Sequence, residues 1–193
     1  MFPLAAGGKS PIYWDIRNIQ WYPELRHRGS LLMAKSIRDS GIKYDFVVPV
    51  LMGALGLGFQ VAEILQAPVL TLRDKINENR PSQLEYVGLP KPGTTGLVIE
   101  DVLTTGESTE KTLKKLKNLK DKEGNPLNLR TIAVAGLINR EQGADAKFAA
   151  SGIKLICAFK QSDIIEAVLG NNPRRYMVQK YLEKINAYGQ SDQ

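Results

Sequence analysis

From residue 44 onward the apolar residues of this chain follow two alternating rhythms. Short runs rich in β-branched side chains occur at 44–51 ("YDFVVPVL"), 68–73 ("PVLTLR"), 95–102 ("TGLVIEDV"), 130–138 ("RTIAVAGLI") and 153–160 ("IKLICAFK"). Most are too continuously apolar for a strand with one wet face, so they predict strands covered on both faces. Between them, apolar residues spaced three and four apart predict helices over 56–65, from Glu107 to about Lys120, over 142–152 and over 162–170, the last with Ser162 as N-cap. A terminal helix is expected over 173–188, with Pro173 near its first turn.

Buried strands alternating with helices predict an α/β fold, a mainly parallel sheet flanked by helices in one domain spanning 1–193. In such sheets ligands collect beyond the carboxyl ends of the strands. Three polar or glycine-containing strand ends fall there: the Met52-Gly53 turn, Glu100-Asp101 and Asn139-Arg140. Residues 74–94, "DKINENRPSQLEYVGLPKPGT", lack firm periodicity. A segment this long is either a lid over the site or a surface β-hairpin without a role, and pattern alone does not choose.

Composition narrows the function classes. The net charge of +6 suits anionic small molecules or nucleic acid. The densest basic cluster, "KKLKNLKDK", carries Leu116 and Leu119, with Leu113 just before it, at roughly helical spacing, so its lysines are expected on a solvated helix face; no nucleic-acid partner is expected. No apolar run approaches the ~20 residues of a membrane span. The opening "MFPLAAGGKSP" lacks the basic and apolar blocks of a secretory leader. A single cysteine, Cys157, fits a reducing cytoplasm, and its apolar neighbours fit a core thiol. One histidine, His27, supports neither a histidine metal cluster nor a catalytic triad.

The chemistry gathers at 96–116, "GLVIEDVLTTGESTEKTLKKL". A strand entering a Thr- and Gly-containing turn and then a helix offers free amides, a positive helix end and hydroxyls to a phosphate. Thr104, Thr105, Gly106 and Ser108 supply them. Glu107 favours the helix dipole but repels a phosphate unless it turns away. Glu100 and Asp101 need a partner beside that phosphate, and a vicinal diol provides one, binding more tightly as the sugar ring becomes cationic. Thr-Thr-Gly taken alone reads as an ordinary helix cap; the whole constellation reads as a site for a phosphorylated pentose.

"VIEDVLTTGEST" resembles the 5-phosphoribosyl-1-diphosphate (PRPP) signature of type I phosphoribosyltransferases. "INREQGADAKFAASGIKL" and "KSPIYWDIR" resemble segments of the orotate phosphoribosyltransferases within that family, and the likeness runs from residue 4 to about 169. It implies transfer of a phosphoribosyl group from PRPP to orotate, with Mg²⁺ arriving on PRPP, in a homodimer. It implies a small hood at about 4–21 and a mobile loop at about 74–94. By this resemblance Thr104, Thr105, Gly106, Glu107 and Ser108 hold the 5′-phosphate, Glu100 and Asp101 hold the ribose hydroxyls, and Arg73 reaches the diphosphate. Arg140 meets the orotate carboxylate, with Tyr13, Trp14 and Thr104 lining the base pocket. A neutral purine gives no reason for a cation at Arg140.

Departures from the family pattern cluster on the leaving-group side. Ala5 stands where the family has a lysine, with Lys9 displaced; Asp74, Asn77 and Asn79 occupy loop positions of its cations; Asn139 replaces an aspartate. Lys75 and Arg80 are the loop cations left to neutralise diphosphate, or else are solvated charges. The alternative function is therefore a catalytically weak or inactive PRPP- or nucleotide-binding protein of the same fold.

Overall fold

The computed structural model describes residues 2–3, 9–10, 15–73, 86–88 and 90–190. A two-stranded antiparallel pair, β1 (Phe2–Pro3) with β2 (Lys9–Ser10), precedes a 3-10 helix at Ile16–Trp21. Then follow α1 (Pro23–Asp39), β3 (Phe46–Pro49), α2 (Leu55–Leu65), β4 (Thr71–Leu72), β5 (Tyr86–Val87) and β6 (Thr95–Leu103). The chain continues through α3 (Glu107–Lys117), β7 (Arg130–Asn139), α4 (Ala144–Ala150), β8 (Lys154–Lys160), α5 (Gln161–Leu169) and α6 (Arg174–Gln190).

Four of the five apolar runs form a parallel sheet in the order β3-β6-β7-β8. The fifth run joins it only through a parallel bridge between Val47 and Val69, and then pairs antiparallel as β4 with β5. Successive strand residues point to opposite faces, so the unbroken buried stretches Gly96–Glu100 and Ala133–Asn139 show that helices cover both sides. Helix α1 packs on α2, β7 and β8, α3 packs on β7 and α4 on β8. Leu97, Val98, Ile99, Val134 and Leu57 form the centre of the core, and each such side chain stabilises the fold by about 1.5–3 kcal/mol.

Several expectations change. Helix α3 ends at Lys117, because Asn118 turns out of the helix and Leu119 is drawn into the core. Ser162 is not an N-cap: Lys160 occupies that position, and both the Ser162 amide and hydroxyl donate to the Glu141 carboxylate, at 2.9 and 3.1 Å. Of segment 74–94, residues 86–87 form the second arm of a β-hairpin, while 74–85 lie outside the described residues. Lys75, Arg80, Tyr13 and Trp14 also lie outside them. Cys157 is half-buried and burial pushes its thiol up to about 12, which leaves it unreactive. His27 sits exposed on α1, its Nδ1 3.2 Å from Gln60 Nε2. Among the described residues no helix is long and apolar enough to cross a membrane.

Candidate active site

The carboxyl ends of β3, β6 and β7 meet at one edge of the sheet. Parallel register fixes this: Pro49 pairs with Ile99, and Leu103 with Asn139. Two backbone bonds then lace the loops beyond β6 and β7, Arg140 N to Leu103 O at 2.8 Å and Ala144 N to Thr104 O at 3.3 Å. The 104–106 turn and the 139–144 loop therefore form one rigid rim.

A cavity of about 520 Å³ opens on this rim. Its walls come from the backbone turn after β3 (Val50, Leu51), from Thr104, Thr105, Glu107 and Ser108, and from the α3 face that carries Lys111 and Lys115. Gly106 makes the turn possible twice over. Its φ is +80°, and a Cβ there would lie 2.7 Å from Phe148 of α4. No side chain caps α3, so the first-turn amides of an eleven-residue helix are left for an anion.

The two acids play different parts. Glu100 is buried at 4% exposure. Its Oε2 accepts from the Ser108 hydroxyl at 2.9 Å and the Thr109 hydroxyl at 3.2 Å, and its Oε1 accepts from the Asp101 amide. Burial, reinforced by the adjacent Asp101 carboxyl, pushes the Glu100 carboxyl up to about 8, so at neutral pH it is mainly the uncharged acid. Asp101 is only half-buried and presses on the turn after β3: a Cβ on Gly53 would lie 2.4 Å from Asp101 Oδ2. Gln20 Nε2 steadies the same turn through the Gly53 carbonyl at 3.2 Å. The Ser108 hydroxyl, expected on a phosphate, donates to Glu100 in this structure, although Ser108 lines the cavity.

Arg73 closes β4 beside the cavity. Its Nε is buried with no hydrogen-bond partner among the described residues, while its carbonyl accepts from Lys115 Nζ at 3.2 Å. Lys115 is exposed, as expected of a wet helix face, and also lines the cavity. Sequence reasoning missed Lys111 and Lys115 as site residues; the signal available was their i+4 and i+8 spacing from Glu107 on one helix face. No group of three or more His, Cys, Asp or Glu among the described residues is arranged to hold a metal ion.

At the carboxyl end of β7, Asn139 is buried: its amide donates to Asp145 Oδ2 at 2.7 Å and its Oδ1 accepts from Glu141 N at 2.8 Å. Burial lowers the Arg140 pKa from its usual value, with Tyr181 acting weakly in the opposite direction; the guanidinium remains charged at neutral pH. Arg140 Nε donates to Gln161 Oε1 at 3.4 Å.

A mostly parallel sheet whose strand ends carry a paired acid, an uncapped helix start and a charged guanidinium defines a nucleotide- or sugar-phosphate-handling α/β protein. The phosphoribosyl transferase domain family matches residues 21–161, and the chain belongs to that family.

Within it, the chain is 31% identical over 171 residues to the orotate phosphoribosyltransferase of Caenorhabditis elegans, covering 89% of this chain and 71% of the relative. It is 28% identical over 166 residues to that of Pyrococcus abyssi, covering 86% of each. Uridine 5'-monophosphate synthase of Bos taurus is 29% identical over 91% of this chain, which spans 37% of that longer protein. The fold is that of the Aeropyrum pernix orotate phosphoribosyltransferase structure (TM-score 0.69, 23% identity, 86% of this chain and 89% of that one). Leishmania donovani UMP synthase shares it as well (TM-score 0.79, 21% identity, 95% of this chain and 38% of that one).

Proposed function

We propose that this chain transfers the 5-phosphoribosyl group of PRPP to orotate, giving orotidine 5′-monophosphate and diphosphate. The observation that carries the reading is the lacing of Arg140 to Leu103, which sets a carboxylate-seeking guanidinium one strand away from the phosphate turn and Asp101. The relatives' names point the same way.

In the reaction, the amides at the start of α3, with Thr104 and Thr105, hold the 5′-phosphate. Asp101 accepts hydrogen bonds from the ribose hydroxyls, and its negative charge favours the oxocarbenium-like ring as the C1–O bond to diphosphate breaks. Glu100 positions this set by holding Ser108, Thr109 and the Asp101 amide. The Val50–Gly53 turn, Arg73, Lys111 and Lys115 surround the space where diphosphate departs, with Lys75 and Arg80 expected to add charge. Mg²⁺ arriving with PRPP would supply further neutralisation of the departing diphosphate. The orotate ring nitrogen attacks C1 as the C1–O bond to diphosphate breaks, its N–H proton passes to the departing diphosphate or to water, and no protein nucleophile is required. Tyr13 and Trp14 complete the base pocket in this reading. The working unit is a homodimer, for which Trp21, Tyr22 and Leu25, all more than half exposed, offer apolar surface; the compartment is the cytoplasm.

The test is orotate consumption with PRPP and Mg²⁺, run beside PRPP-binding calorimetry. Consumption is expected, and Arg140→Ala is expected to lower kcat/KM for orotate about a hundredfold while affecting uracil far less. PRPP binding without orotate consumption would select the silent binding protein, and equal losses on both bases would remove Arg140 from the carboxylate.

A further inference from the structure

A buried amide side chain without a partner costs about 1–3 kcal/mol, so a glutamine enclosed in a core has an occupation. Gln161 is 1% exposed and stands at the first position of α5, immediately after β8. Asn139 and Lys160 are register partners on neighbouring parallel strands, so the next residues, Arg140 and Gln161, lie side by side. Gln161 holds Arg140 at two points: Oε1 accepts from the guanidinium Nε at 3.4 Å, and Nε2 donates to the Arg140 carbonyl at 3.3 Å. One neutral side chain therefore fixes both the backbone and the side-chain direction of the same arginine.

The charges around it are arranged with the same effect. Glu141, the nearest acid in sequence, has a φ of +55° and gives its carboxylate to Ser162 instead. Asp145 is occupied by Asn139. Among the described residues no carboxylate forms an ion pair with Arg140. With Nε engaged by an amide, the guanidinium keeps its Nη1–Nη2 edge and its full positive charge for a ligand.

We propose that Gln161 is a positioning residue that sets base specificity: by clamping Arg140 through Nε and its carbonyl, it presents the terminal Nη1–Nη2 edge to the carboxylate of the pyrimidine. The inference rests on the orotate reading above. A glutamate at the same position would offer similar geometry but neutralise the arginine, and a leucine would fill the space while releasing Nε.

The experiment measures KM for orotate, KM for PRPP and kcat in wild type, Gln161→Leu and Gln161→Glu, with uracil as the base lacking a carboxylate. Losing a hydrogen bond that orients a charged group is worth about tenfold, so KM for orotate should rise by about that factor in Gln161→Leu, and further in Gln161→Glu. KM for PRPP and turnover of uracil should stay within about twofold. Should the glutamate variant not fold, the leucine variant, similar in volume and apolar, carries the same comparison. An orotate KM that does not move, or orotate and PRPP constants that rise together, would overturn the assignment and leave Gln161 a packing residue. Wild-type protein that neither consumes nor binds orotate would overturn the orotate reading itself, a result seen before any variant is made.

Discussion

Replacing Glu100 by glutamine tests whether this buried acid is neutral in the folded protein. The amide keeps an acceptor for Ser108 and Thr109 and a donor toward the Asp101 carboxyl, but it no longer accepts from the Asp101 backbone amide, a cost that does not vary with pH. The folded carboxyl is raised from an ordinary 4.5 to about 8 by burial and by Asp101. The contribution of a group raised in this way is fully present below its unfolded value and is lost as pH climbs to its folded value. Wild-type stability should therefore fall across the window from pH 4.5 to about 8. The loss amounts to about 1.4 kcal/mol for each pH unit, several kcal/mol in all. Glu100→Gln removes that slope. Urea unfolding at intervals from about pH 5 to about pH 8 should show the variant gaining on wild type by this amount per pH unit. Curves that stay parallel throughout the window would refute the neutral acid and restore Glu100 as a charged ligand for the ribose.

Gly53→Ala puts a methyl group 2.4 Å from Asp101 Oδ2, so the carboxylate must move; KM for PRPP should rise about tenfold with a stability loss of about 1–3 kcal/mol, and an unaltered KM would detach Asp101 from the sugar. Asn139→Asp opposes two carboxylates across the present 2.7 Å contact with Asp145; unfolding should show a loss of at least about 2 kcal/mol at pH 7. Because the new acid's folded value would be raised, that loss should shrink as pH falls, and a pH-independent difference would count against the charge explanation.

Much of the fold was written in the hydrophobic rhythm. Runs such as Gly96–Glu100 and Ala133–Asn139 are apolar because helices cover both faces, and that demand is local enough to read directly. The turn between β6 and α3 was legible for a similar reason: strand end, glycine and helix start are consecutive in the chain, and so is the physics of exposed amides.

Other features depended on elements distant in sequence. Ser108 looked like a phosphate donor, but its hydroxyl faces Glu100 because the first turn of α3 folds back onto the end of β6. Lys115 is exposed, as a solvated helix face predicts, yet it and Lys111 also line the cavity, because Leu72 and the turn after β3 stand on its other side. The tie between Arg140 and Gln161 spans 21 residues and exists only because β7 and β8 pair in one register. A single strand carries its own burial pattern, whereas the partner of each polar group is chosen by what the folded sheet brings alongside it.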